Sequence, residues 1–327
     1  MTQRSDMARA LGPEGHPRTV LITGCSSGIG LHLAVKLAQD PQQRYHVIAT
    51  MRDLGKKEKL EAAAGEALGR TLTVAQMDVC SEESVSACLS NIEGGSLDVL
   101  VNNAGLGLVG PLEGLNMADI RKVFETNFFG AVQLIKAVLP SMKQRRRGHI
   151  VVVSSVMGLQ GVIFNDVYSA SKFAMEGFCE SLAVQLLRFN IFVSLVEPGP
   201  VKTDFEVKLE AQVSKAGFPG TDPDTLSYFL DVYLPASKEI FQTLGQSPED
   251  VAQAIAQVIG SAQPSLRYQT NALYTPLTAL KYADPSGDLS VHTFYRLLFR
   301  CQPLFRFSLC CLRCLSGNCL RPRVTPM

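Results

Sequence analysis

Apolar residues gather in six short runs, at 19–22, 45–51, 72–77, 97–101, 149–154 and 191–197, with stretches of helical spacing between them. Short apolar runs rich in β-branched residues read as strands, and their alternation with helices predicts a parallel sheet. The clearest helical patterns cover 31–38, 131–143 and 168–189. The last carries Phe173, Phe178, Leu182, Leu186 and Phe189 as an apolar stripe, which either packs into the core or pairs with a second copy of the chain. Past Pro200 the pattern loosens. Residues 203–235 set Phe205, Phe218, Pro219, Gly220 and Phe229 among polar neighbours, and helical spacing resumes around 236–261. Such a segment suits a lid that closes over an apolar ligand and excludes water.

The chain has 327 residues, 46% of them hydrophobic, and a formal net charge of +1. That composition supports a large core, and the near-neutral balance argues against nucleic acid as a partner. A doubly wound α/β unit commonly runs to about 250 residues as one domain, so one domain with tails is the economical division. It divides into a disordered lead-in over 1–17, a catalytic body over 18–265 and a C-terminal extension over 266–327. Residues 1–17 hold Gly12, Pro13, Gly15 and Pro17 and no apolar run long enough for a signal peptide.

Charge is unevenly spread. From Val291 onward the chain has Arg296, Arg300, Arg306, Arg313, Arg321 and Arg323, with no lysine and no acid. Residues 294–320 mix arginines with Phe, Leu and Cys, interrupted by Pro303 and Gly317. They are too charged to span a bilayer and too apolar for a free tail, so they read as an interfacial anchor to membrane lipid. Acylated cysteines would add the second signal that stable anchoring needs, with Cys310, Cys311 and Cys314 as candidates. A zinc cluster is the competing use of that Cys-Cys-x-x-Cys-x-x-x-x-Cys spacing, in a region without a compact scaffold. The five histidines are dispersed, which leaves no metal-ligand pair and no Ser/His/Asp set. No metal is expected, and hydrolysis is disfavoured.

The chemistry starts where the first strand runs into Thr23-Gly24-Cys25-Ser26-Ser27-Gly28-Ile29-Gly30 and then a helix. Glycines allow the tight turn and a close approach of backbone to a pyrophosphate, and the helix N-terminus supplies unpaired N–H groups. Ser26 and Ser27 add hydroxyl donors. The second strand ends in Met51-Arg52-Asp53, about 20 residues beyond the loop, where dinucleotide folds read the adenosine ribose. Arg52 favours a 2′-phosphate and therefore NADPH; Asp53 on the ribose of NAD is the alternative.

Ser155 follows the fifth run at the carboxyl end of a buried strand, where open α/β sheets bind ligands. Tyr168 and Lys172 stand four apart, which places both on one helix face. A phenol with an ordinary pKa of about 10 needs a neighbouring cation to stabilise its anion, and Lys172 supplies one. Ser155 would hydrogen-bond a carbonyl oxygen as charge develops on it, leaving Tyr168 to deliver the proton. A Tyr and a Lys four apart also occur on helices for packing and solvation alone, so the trio gains its meaning from the glycine loop. Leu106, Val109, Met157, Leu159, Val162, Ile163 and Phe164 lie beside these motifs and offer an apolar substrate pocket, though each also fits an ordinary core. Polarity alone does not name that substrate.

Taken in order, Thr23-Gly24-x-x-x-Gly28-x-Gly30, Asn102-Asn103-Ala104-Gly105, Asn127, Ser155, Tyr168-x-x-x-Lys172 and Pro198-Gly199 resemble the short-chain dehydrogenase/reductase family over about 18–265. The resemblance implies a Rossmann-type α/β fold in which Gly24, Ser26, Ser27, Gly28, Ile29 and Gly30 wrap the cofactor phosphates. It further implies Asp78 and Val79 at the adenine, and Asn103, Ala104 and Gly105 on the adenosine side. Pro198, Gly199, Val201 and Thr203 would flank the nicotinamide, Lys172 would also bind its ribose, and Asn127 would anchor a water in a proton relay behind Lys172. The segments 22–31, 47–53 and 164–168 resemble the steroid- and retinoid-converting branch, and 51–57, 156–164 and the cysteine-rich end resemble more closely its retinol dehydrogenases. That resemblance implies NADPH-dependent reduction of all-trans-retinal to all-trans-retinol at the cytosolic face of photoreceptor outer-segment membranes. Dimerisation through the Tyr168 helix would follow the family's habit. A 17β-hydroxysteroid dehydrogenase is the alternative enzyme, and a non-catalytic nucleotide-binding scaffold is the alternative of another class.

Overall fold

Strand β1 (Arg18–Ile22) leads through α1 (Gly28–Ala38), β2 (Tyr45–Met51), α2 (Glu58–Ala64), β3 (Leu72–Gln76) and α3 (Glu82–Ser90) to β4 (Val99–Asn102). Then come α4 (Met117–Phe124), α5 (Gly130–Arg145), β5 (Gly148–Val153), α6 (Asp166–Leu186) and β6 (Ile191–Glu197). The computed structural model describes residues 16–92 and 95–300 and the backbone of 325–326. Almost all of the expected lead-in over 1–17 lies outside the described residues, as do Cys310, Cys311 and Cys314.

All six predicted strands form, in the parallel order β3-β2-β1-β4-β5-β6. Their apolar runs are continuous because both faces of the sheet are covered. Successive side chains point to opposite faces. Val20, Ile22, Val99, Val101 and Val151 pack with Leu33 and Leu37 of α1 on one side. On the other, Leu21, Leu100, Ile150 and Val152 meet Leu134 and Ile135 of α5 and Met175 and Cys179 of α6. Fully burying each such aliphatic side chain contributes about 1.5–3 kcal/mol.

The chain beyond β6 departs from the sequence reading in three ways. Residues 203–235 are not loose: α7 (Asp204–Val213), α8 (Pro223–Ser227) and a π-helical stretch Tyr228–Tyr233 lead directly into α9 (Leu234–Leu244). Side-chain caps explain this, since Thr203 accepts from Phe205 N and Asp222 accepts from Thr225 N, starting helices in a segment whose polar residues masked the apolar face. After α10 (Pro248–Gly260), β7 (Arg267–Gln269) adds a further parallel strand beside β6, which a body ending at 265 would omit. The chain then returns over the body as α11 (Thr275–Ala283) and α12 (Asp288–Tyr295), and the two-residue β8 (Thr325–Pro326) pairs antiparallel with β7. Lys281 donates to Leu159 O at 2.9 Å and Ser290 to Gln160 Oε1 at 3.1 Å, so these helices rest against the segment after Ser155.

The stripe on α6 resolves toward the core: Leu186 is fully buried, and Phe178, Leu182 and Phe189 pack on the same cluster. Phe173 lies under the Lys281 ammonium, 3.9 Å from its ring centroid. No helix among the described residues is long and apolar enough to cross a membrane.

Candidate active site

β1 is flanked by β2 on one side and β4 on the other, so the connections leaving β1 and β4 diverge and open a crevice at the carboxyl edge of the sheet. Thr23 closes its floor. Its hydroxyl accepts from Asn103 N at 2.9 Å and Ala104 N at 2.8 Å, while Asn103 Nδ2 donates to Thr23 O at 2.8 Å and Gly24 O at 3.2 Å. This stitches the glycine loop to the 103–105 turn. A Cβ on Gly30 would lie 2.5 Å from Asn103 Nδ2 and from Gly24 O, and Gly24 and Gly28 hold φ of +73° and +61°. Only glycine fits that combination of contact and backbone.

These residues fit a dinucleotide. Ser27 begins α1 without a side-chain cap, and the first turn carries no acid, so the helix's leading N–H groups and positive dipole remain available to an anion. Ser26, Ser27 and Ile29 are half-exposed at that end. Arg52 is exposed at the end of β2. Asp53 is engaged locally, accepting from Gly55 N at 3.0 Å and pairing with Lys56 at 3.4 Å. At the end of β3, Asp78 N donates to Ser84 Oγ and Val79 is buried. Thr203, at the start of α7, comes within 3.3 Å of the Cβ position of Gly28, bringing the post-β6 segment over the loop. Pro198 O accepts from Val156 N at 3.0 Å, Val201 bridges to Gln246, and the Tyr274 ring covers Gly199.

The trio converges beside that crevice. Ser155 Oγ accepts from Met157 N at 3.1 Å, which leaves its proton free to donate elsewhere. The Tyr168 phenol hydrogen-bonds Ser155, but burial dominates and pushes it up to about 12. Lys172 donates to Val153 O at 2.9 Å, and its ammonium lies 5.6 Å from the Tyr168 ring centroid. Burial pushes Lys172 down to about 8 against the attraction of Glu176. The lowering of the phenol by Lys172 that the spacing suggested does not appear: only the bond to Ser155 opposes desolvation, which prevails and keeps Tyr168 a proton donor.

Asn127 sits in a π-helical turn, Glu125–Phe129, between α4 and α5. Its Oδ1 accepts from Leu106 N at 2.7 Å, and its Nδ2 donates to Leu106 O at 2.8 Å and Ser171 Oγ at 3.0 Å. Ser171 in turn donates to Tyr168 O at 2.7 Å. The residue thus ties the post-β4 segment to the helix that carries the phenol.

Beyond the trio lies an aromatic cluster. Phe164 lies 4.9 Å from Phe229 and 5.0 Å from Tyr233 between ring centroids, and Phe218 lies 5.2 Å from Phe229. Val109 and Ile163 pack on this cluster, Leu159 is buried, and Leu106, Met157 and Val162 are half-buried. Phe205 of α7 lies 6.0 Å from the Tyr168 ring and over Gly107, so the first lid helix touches the phenol directly. Thr23, Tyr274 and Glu176 were not among the sequence-derived site residues, and Phe205 entered only as part of the lid. Thr23 was legible inside the glycine motif and Glu176 by its spacing from Lys172, whereas Tyr274 carries no local signal.

Residues 18–214 match the family described as short chain dehydrogenase. The chain belongs to that family. Retinol dehydrogenase 8 of Bos taurus is 71% identical over 310 residues, covering 95% of this chain and 98% of its own length. The 17-beta-hydroxysteroid dehydrogenase type 1 of Homo sapiens is 46% identical over 282 residues, 86% of this chain and 85% of its own. Among solved structures, the closed form of serine dehydrogenase complexed with NADP+ is 28% identical, with a TM-score of 0.60 over 76% of this chain and 93% of that one.

Proposed function

We propose that this chain is an NADPH-dependent carbonyl reductase that converts all-trans-retinal to all-trans-retinol. The observation carrying the chemistry is the convergence of Ser155, Tyr168 and Lys172 beside a glycine-built anion cradle, with an aromatic wall beyond. The substrate rests on the 71% identity with bovine retinol dehydrogenase 8.

NADPH, which supplies the hydride, would be held by Gly24, Ser26, Ser27, Gly28, Ile29 and Gly30 at its phosphates and by Arg52 at its 2′-phosphate. Asp78 and Val79 would meet the adenine, and Asn103, Ala104 and Gly105 the adenosine side. Pro198, Gly199, Val201 and Thr203 would line the nicotinamide side, with Tyr168 and Lys172 at the nicotinamide ribose. The free proton of Ser155 and the Tyr168 phenol donate to the substrate carbonyl oxygen, stabilising negative charge as it develops. Tyr168 then delivers its proton to the alkoxide. The Lys172 ammonium stabilises the phenolate left behind, and Asn127 holds the post-β4 segment and the Tyr168 helix in register, in position to anchor a water behind Lys172. Leu106, Val109, Met157, Leu159, Val162 and Phe164 would form the apolar wall around the polyene, with the α7 segment excluding water.

The 46% identity with human 17-beta-hydroxysteroid dehydrogenase type 1 favours a steroid as the second reading. Comparing kcat/KM for all-trans-retinal and estrone, each with NADPH and NADH, separates them; a tenfold preference for estrone sinks the retinoid reading. Membrane attachment through acylated Cys310, Cys311 and Cys314 is part of the same proposal, as is self-association over the outer face of α6, where Val184 is exposed. Truncation after Arg300 should release the protein from vesicles, and a truncated chain that still sediments with them moves the anchor elsewhere.

A further inference from the structure

We propose that Glu176, clamped by Arg267, is a positioning residue for the active site: the buried countercharge that holds Lys172 as an ammonium and seats the turn after Ser155. The inference rests on the reductase reading above. Tyr168, Lys172, Glu176 and Glu180 follow one another at four-residue spacing, so they share one face of α6. Lys172 is 6% exposed and Glu176 4% exposed. The oxygen of Val153 offers Lys172 only a dipole, and a buried ammonium without a countercharge sheds its proton.

The groups around Glu176 fix its charge. From β7, Arg267 Nε reaches Glu176 Oε2 at 3.0 Å, and its NH2 reaches Glu180 at 2.7 Å. From β6, the fully buried Glu197 meets the same Nε only at 3.5 Å. Burial, reinforced by the Glu176 charge, pushes Glu197 up to about 8, so near neutral pH it is mainly an uncharged acid. Burial raises Glu176 on balance, while Ser154, Arg267 and Lys172 all pull against it toward the ionised form. Cys179, on the same helix, is buried and held well above its ordinary value, so it brings no charge.

Packing couples this carboxylate to Ser155. A Cβ on Gly158 would lie 2.8 Å from Ser154 Oγ and 3.0 Å from Glu176 Cγ, so the turn Val156–Gly158 rests on Glu176. That turn begins at Ser155, whose hydroxyl accepts from Met157 N.

The experiment measures the apparent pKa of Lys172 in the full chain by competitive acetylation across pH, read by peptide mass spectrometry. It also records the pH profile of carbonyl reduction. Glu176→Gln should lower the lysine value by about one unit, move the basic limb of kcat down with it and leave KM for NADPH within twofold. Glu176→Asp, which withdraws the charge by one methylene, should shift both readouts the same way by less than half as much. Glu197→Gln should move neither. Wild-type positions in Glu176→Gln, or equal shifts in Glu197→Gln, overturn the inference; should the Gln variant fail to fold, an Asp variant indistinguishable from wild type overturns it. Absence of any carbonyl reduction with NADPH would instead refute the reductase reading, because labelling reports on Lys172 without turnover.

Discussion

The two sides of the crevice are built by different forces. On the nucleotide side, Thr23, Asn103 and the glycine loop are locked by short hydrogen bonds and by backbone contacts that no Cβ could enter. On the substrate side, rings from residues 164, 218, 229 and 233 pack edge to face and nearly stacked, and Phe164 and Phe218 hold φ of +61° and +43°. Positive φ in a bulky residue is strained and persists only where surrounding packing over-determines it. The contrast suits the proposed division of labour: directional bonds for an invariant polar cofactor, and adaptable apolar contact for a long hydrophobic substrate.

Variants on each side should separate these roles. The largest effect is expected for Tyr168→Phe, which should cut kcat by about 1000-fold while leaving NADPH affinity within twofold in a fluorescence titration. Phe229→Ala, at a fully buried position in the aromatic cluster, should cost about 3–5 kcal/mol in urea unfolding. Its KM for retinal should rise more than its Kd for NADPH; equal rises would mean the two sides are not separable. Gly30→Ala should do the reverse, costing about 1–3 kcal/mol and weakening NADPH, measured by calorimetry, more than substrate. Smaller still, Arg52→Ala should reduce the preference for NADPH over NADH by about tenfold; an unchanged ratio assigns the 2′-phosphate to another group.

A pH test bears on the sheet beneath both sides. His149 is buried, and burial together with Arg18 pushes it from 6.5 down to about 3. As pH falls below 6.5 the unfolded chain takes up a proton that the folded chain refuses, so stability declines from 6.5 toward 3. Replacing His149 by Gln should flatten that limb in thermal unfolding and leave the active-site comparison untouched.

Much of this was legible before folding. The runs 45–51 and 191–197 became β2 and β6 with those bounds, and Tyr168 and Lys172 share a helix face because four residues make about one turn. The lid was misread as loose because its caps, Thr203 and Asp222, and its inward rings lie among polar residues. The strand β7 was missed because three residues carry too little pattern to stand out.

The sequence by itself determined the strand series, the glycine cradle and the order of Ser155, Tyr168 and Lys172, since each depends on spacing within one element or its adjoining turn. Only the tertiary structure decided that Asn127 ties Leu106 to Ser171, that Thr23 closes the crevice floor and that Arg267 clamps Glu176. Those contacts join residues 21 to 91 positions apart, and which of many such pairings forms is settled by the packing of the whole sheet and its helices, which no local periodicity encodes.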